Sequence, residues 1–275
     1  MQASSVWSPV TAHRLARPGR AVGAGKPGPE RPFRADKPGP ERPRRAGNAV
    51  DGTRTRPHHR DVTLDDWPLF GLEIETPRVV LRPPRDDDFP GLLAAIDAGI
   101  HEPASMPFLV PWTDAEPGAR RQSALQHWWG ARSTWSVDDW NLPLAVFLDG
   151  RAIGIQAVMG TDFPLLRTVG TGSWLTLDAQ GQGLGREMRA AVLEFAFEAL
   201  GAEVAVSGAF RDNTASLAVS RALGYEPNGV HRHRRRDEVA DTIELRITRE
   251  RWRNVRPELA VTVRGFDACR AMFEP

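Results

Sequence analysis

The 275-residue chain contains one cysteine, Cys269, and one tyrosine, Tyr225. A lone cysteine excludes an internal disulfide framework and fits a reducing compartment, so a cytoplasmic protein is expected. No apolar run approaches the roughly 18 residues that a bilayer span requires. The first residues lack the apolar core of a secretory signal, and neither membrane nor export is expected. Metal-ligand spacing is missing too. His58-His59 and His231-Arg-His233 stand without cysteine or carboxylate partners at zinc-like intervals, so no metal is expected. The rest, 41% hydrophobic and 26% charged, is the composition of an ordinary globular chain.

The net charge of +1 hides an asymmetry. Residues 1–60 hold 13 Lys or Arg against 4 Asp or Glu, which leaves −8 on the remainder. An acidic body repels polyanions, so nucleic acid is an unpromising partner for it. The same 60 residues carry 9 of the 23 prolines and a repeat, Lys26-Pro-Gly-Pro-Glu-Arg-Pro32, recurring as Lys37 to Pro43. So few large apolar residues cannot offset the entropy of ordering, and residues 1–61 are expected to be a disordered basic leader. An RNA-binding arm, a targeting peptide and a dispensable extension are the competing readings, the prolines arguing against an amphipathic helix.

From Val62 the pattern becomes globular. Residues 62–254 are expected to form one domain, with 255–275 as a tail packed on it and Val261 and Val263 as a further strand. Alternation around Val79 and Leu81 predicts a strand closed by Pro83-Pro84. Asp86 to Asp88 supply N-cap chemistry for a helix over Phe89 to Ala98. A second helix is predicted over 117–135. Leu144 to Leu148 and Ala152 to Val158 flank Asp149-Gly150, a two-residue hairpin signal. A strand is expected over 171–177. Leu184, Met188, Ala191, Val192, Phe195 and Ala199 share one helical face, and Gly201 ends that helix. A strand over 203–210, a helix over 213–223 and an antiparallel pair over 230–236 and 242–248 complete an α+β pattern with a mixed sheet.

The strand ending at Leu177-Asp178 runs into Gln180-Gly-Gln-Gly-Leu-Gly185, which opens the long helix. A helix N-terminus offers unpaired N–H groups and a positive dipole end, and glycines let a phosphate reach the backbone. Arg186 adds a side-chain donor. A P-loop would need Lys-Ser or Lys-Thr after Gly185, where Arg186 and Glu187 stand. A dinucleotide fold would place such a turn early among repeated βα units, and this one follows a hairpin.

Gln-x-x-Gly-x-Gly at 180–185 resembles the acyl-CoA signature of GNAT N-acyltransferases. Asn213-x-x-Ser216 with Leu223-Gly224-Tyr225 is similar to the second motif of that superfamily. Thr76-Pro-Arg-Val-Val-Leu-Arg82 and the closing stretch from Asp241 to Trp252 resemble the RimJ/RimL branch of ribosomal-protein N-terminal acetyltransferases. The likeness spans about 76–252, with the motifs in order. It implies a mixed, mostly antiparallel splayed sheet flanked by helices, binding acetyl-CoA or another short acyl-CoA between its fourth and fifth strands. The acyl group would pass directly to a primary amine of a protein N-terminus or small molecule, in a monomer or homodimer. Carried onto this chain, Leu175 and Leu177 of the fourth strand would pair with the pantetheine arm. Gln180, Gln182, Gly183, Leu184, Gly185 and Arg186 would hold the pyrophosphate, with Asn213 and Ser216 also on the cofactor.

One departure matters. Where many members carry a proton-donating tyrosine seven residues after the asparagine, this chain has Ser220. In the RimJ/RimL-like branch a serine serves as donor, which favours Ser216 over Ser220. Tyr225 occupies an apolar position of the motif and is expected to be packed. Asp162 and Asp178, at strand ends, are the candidate bases, Asp162 the stronger. Phe108, Trp112 and Trp129 are expected to line the acceptor site. A CoA-binding sensor or scaffold without catalysis is the alternative.

Overall fold

The computed structural model describes residue 64 and residues 66–274; the expected leader lies outside the described residues. Nine strands form one sheet: β1 Glu73–Glu75, β2 Val79–Arg82, β3 Trp140–Leu148, β4 Arg151–Gly160, β5 Thr168–Leu175, β6 Val204–Phe210, β7 Glu226–Arg235, β8 Glu238–Thr248 and β9 Thr262–Arg264. Their spatial order is β7-β8-β6-β5-β4-β3-β2-β1-β9. Every pair is antiparallel except β5–β6. Among the described residues seven α-helices accompany it: α1 Phe89–Asp97, α2 Pro117–Ser133, α3 Phe163–Leu166, α4 Leu184–Glu194, α5 Thr214–Ala222, α6 Arg249–Val255 and α7 Phe266–Cys269.

Local chemistry explains several of these bounds. Asp149 and Gly150 both take positive φ, 50° and 76°, so the β3–β4 turn carries the twist of a two-residue hairpin. Helix α4 buries Leu184, Met188, Ala191 and Val192 and passes into a π-helical turn over Phe195–Ala199, which the sequence pattern reads as plain helix. Asn213 caps α5 by accepting a hydrogen bond from the Ser216 amide at 3.1 Å. Strand β9 falls on the expected Val261–Val263 stretch, whereas β1, three residues long, is too short for a two-residue period to announce it. Residues 255–274 belong to the packed body: β9 pairs with β1, Phe273 is fully buried, and the Trp135 indole N–H donates to the Met272 carbonyl at 2.9 Å.

Two layers of core hold the sheet. Leu92, Ile96, Phe108 and Trp128 pack with Ile155 and Trp174 on one side. Leu184, Met188, Val192 and Phe195 pack with Val169 and Leu175 on the other. The parallel pair β5–β6 is joined only at Thr168↔Val204, Val169↔Ala205 and Gly170↔Val206. Beyond Gly170 the two strands part, and the sheet opens as a V.

Candidate active site

The V, the N-terminus of α4 and a cavity by α2 converge on the second half of β5. Gly181 and Gly183 have φ of 74° and 79°, values that L side chains rarely adopt, and this bends the chain so that successive amides face outward. The N–H groups of Gln182, Gly183, Leu184 and Gly185 have no carbonyl partner among the described residues. That of Arg186 is committed to the Gly183 carbonyl at 3.1 Å, so Arg186 contributes only its exposed side chain. Gln180 departs from its expected role. Its amide donates to Leu177 O, and its side-chain Nε2 donates to Ile100 O and Leu175 O at 2.9 Å each, so it braces the loop instead of facing a phosphate. The Gln182 side chain likewise ties back to the Asp178 carbonyl at 2.6 Å.

The loop is locked from below. Glu187, 8% exposed, accepts from Thr76 Oγ1 at 2.7 Å, from the Arg78 amide at 3.2 Å and from Arg78 Nε at 2.5 Å. The Arg78 guanidinium also reaches the Gln182 carbonyl at 3.0 Å. The Thr76-Pro-Arg78 turn therefore clamps the first turn of α4. Glu187→Ala strands a buried hydroxyl and an arginine; because Arg78 is 46% exposed and can rehydrate, the expected cost is only about 2 kcal/mol, readable in a denaturant titration.

Strand β5 hydrogen-bonds to β4 at alternate residues, and the Thr176 amide donates to Ile153 O at 2.8 Å. The alternation turns the main-chain groups of Thr171, Ser173 and Leu175 toward β6. Thr171 O accepts there from Ser207 Oγ at 3.4 Å. Leu177 does not continue the series. The strand stops at Leu175, residues 177–179 form a 3₁₀ turn, and the Leu177 amide bonds Gly99 O at 3.0 Å. Its expected pairing with a ligand arm is thereby excluded.

Behind the V lies a layer of hydroxyls. Arg189 on α4 donates to Ser207 Oγ at 3.3 Å, to Ser220 Oγ at 3.2 Å and to Ser173 Oγ at 3.2 Å. Ser220 passes its own proton to the Ser216 carbonyl at 3.1 Å. Ser216 is 2% exposed, and its Oγ has no partner among the described residues. Tyr225 is buried with its hydroxyl 3.5 Å from Thr171 Oγ1. Asn213 is the α5 cap already described.

On the opposite face, a cavity of about 250 Å³ is lined by Phe108, Trp112, His127, Trp128, Ser173 and Trp174, among others. Trp128 takes the place expected for Trp129. Residues 124, 128 and 131 share the buried side of α2, whereas Trp129 is turned outward against the edge of Phe89. His127 stands at the mouth with its side chain exposed to solvent, and the protein packed beside the ring lowers its pKa from the ordinary 6.5 by disfavouring the charged form. Nothing in the sequence pattern singled it out.

Neither expected carboxylate reaches this cavity. Asp162 lies past the far end of β4, exposed, at φ 46°, its carbonyl accepting the Leu165 and Leu166 amides of the α3 turn. It is a turn residue. Asp178 is exposed and pairs with Arg151 at 2.9 Å. The cavity's outer wall is braced across the chain: Arg236, at the β7–β8 tip, forms a two-pronged pair with Asp114 at 2.7 Å and reaches Pro103 O at 3.1 Å.

Residues 78–226 match the sequence profile of the family described as "Acetyltransferase (GNAT) domain". Among solved structures, Mycobacterium smegmatis RimJ in complex with CoA-disulfide is 18% identical, with a TM-score of 0.54 over 74% of this chain and 95% of that one. RimL, a ribosomal L7/L12 alpha-N-protein acetyltransferase in complex with coenzyme A, is 15% identical, with a TM-score of 0.52 over 63% of this chain and 95% of that one. A GCN5-related N-acetyltransferase from Brucella melitensis is 20% identical, with a TM-score of 0.53 over 67% and 81%. At these identities the likeness is one of fold.

Proposed function

Because the chain belongs to the GNAT acetyltransferase family, an acyl-CoA-dependent group of N-acetyltransferases, we propose that it acetylates a primary α-amine carried by an apolar residue or small molecule. Acetyl-CoA lies in the V between β5 and β6. The observation that carries this reading is proximity along β5: its unpaired main-chain groups run from the aromatic cavity at Gly172–Trp174 to the loop whose free amides open α4. Gln182, Gly183, Leu184 and Gly185 hold the pyrophosphate by their amides, Arg186 by its side chain, and Ser173 and Leu175 pair with the pantetheine. The acceptor enters through the cavity, against Phe108, Trp112 and Trp128.

His127 is the base. An imidazole whose pKa sits below 6.5 is badly matched to a lysine ammonium near 10.4 and far better matched to an α-amine at about 7.8, which favours a peptide N-terminus or similar amine. Ser216 donates to the leaving sulfur. Its hydroxyl is buried and uncommitted, whereas that of Ser220 is already spent on the Ser216 carbonyl. A reducing cytoplasm suits the one free, buried thiol, Cys269.

Thiol release from acetyl-CoA, measured against peptides with varied first residues, lysine side-chain amines and small aromatic amines, tests the assignment. Saturable turnover is expected with α-amines next to apolar groups. Tight acetyl-CoA binding without turnover on any amine overturns it.

A further inference from the structure

Arg189 is 2% exposed, yet its guanidinium meets three hydroxyls and no carboxylate among the described residues. A cation taken out of water normally keeps an anion beside it, because neutral hydroxyls replace hydration only in part. Burial works against its charged form, and the one titratable group acting on it is the Tyr225 phenol, itself pushed up by burial and therefore neutral. The missing counter-charge calls for an explanation.

Its position supplies one. The strands β5 and β6 separate after Gly170 and Val206, and Arg189 bonds the next hydroxyls on each side, Ser173 and Ser207. It sits in the crotch of the V. Three buried polar atoms of this same region are without partners: Arg189 Nε, Ser216 Oγ and Gln156 Oε1. Gln156 lies opposite Ser173 in the β4–β5 register. Unsatisfied groups at this density mark a place arranged for something that arrives from outside.

We propose that Arg189 is a positioning residue for the leaving group: through Ser173, Ser207 and Ser220 it sets a positive field in the V that favours the CoA thiolate. This rests on the placement of CoA in the V given above. When the amine attacks, the C–N bond forms, the C–S bond breaks and the bonding pair passes to sulfur. The amine's proton goes to His127, and sulfur takes one from the Ser216 hydroxyl, which solvent reprotonates, leaving an amide and a free thiol. A negative charge thus develops once per turnover, beside a cation that has no counter-ion among the described residues. The charge of Arg189 does for this chain part of what a tyrosine at position 220 does by donating a proton.

The test compares CoA with desulfo-CoA, which lacks the sulfur. Near pH 8.5, where an ordinary thiol is half ionised, the wild type is expected to bind CoA about tenfold more tightly than desulfo-CoA. Arg189→Met should bring the two within about twofold, leave acetyl-CoA affinity within about threefold and lower kcat about ten- to a hundredfold. Arg189→Lys, which keeps the charge, should restore part of the difference. Equal binding of CoA and desulfo-CoA by the wild type overturns the inference with no variant required. An Arg189→Met protein that weakens all three ligands alike also overturns it, since that is loss of packing. If the wild type binds neither nucleotide, the placement of CoA itself falls, and this inference falls with it.

Discussion

Replacing Gly183 by aspartate is expected to weaken acetyl-CoA binding by at least about a hundredfold, as read by calorimetry or by loss of ligand-induced thermal protection. Two effects add. Gly183 holds φ at 79°, where a side chain costs about 1–2 kcal/mol, and a Cβ there would stand 3.5 Å from the Arg78 guanidinium. The new carboxylate would then occupy the mouth of an amide cradle shaped for phosphate and draw Arg78 away from Glu187. Folding should survive, because the position is exposed and aspartate is a favoured helix cap. Unchanged acetyl-CoA affinity in a folded Gly183→Asp protein would remove the cradle from the mechanism.

His127→Gln is expected to lower kcat by about a hundredfold while moving the KM for acetyl-CoA little. The sign of the pH dependence follows from which form works. Neutral imidazole accepts the proton, and protein around His127 destabilises the charged form, so the active form persists to below pH 6.5. Wild-type kcat/KM should therefore rise with pH through an inflection under 6.5, followed by a second limb near about 7.8 as the α-amine loses its proton. The variant should keep the second limb and lose the first. An unaltered acid limb in His127→Gln would show that the group titrating there is something else.

The parts legible in the sequence are those whose chemistry is contiguous. Gly181, Gly183 and Gly185 announce a bent helix entry with outward-facing amides because the conformation is written into six successive residues. Asp149-Gly150 declares its hairpin for the same reason. The hydroxyl layer is assembled from β5, β6, α4 and α5, and no local pattern brings Ser173, Ser207 and Ser220 together. A faint signal did exist: Arg189 lies four residues after Gly185 and three before Val192, a charge within the apolar side of α4. The strand-end carboxylates misled because an aspartate at the end of a strand is as suited to closing a turn as to accepting a proton, and Asp162 does the former. Trp129 was favoured over Trp128 without fixing the helical phase that Ala124 and Ala131 determine.

The Thr76–Arg78–Glu187 clamp and the Arg236–Asp114 bridge secure two separate parts of the molecule in different ways. The first is built on the buried Glu187 carboxylate and ties the start of α4 to the Thr76–Arg78 turn at several points. The second is a surface contact between two segments 122 residues apart, and water and salt compete for it. Substitutions near 101–114 or at the hairpin tip thus have latitude to redraw which amine is admitted, while the chemistry of the donor stays as it was. A lineage built on this scaffold would diversify its clients faster than its coenzyme.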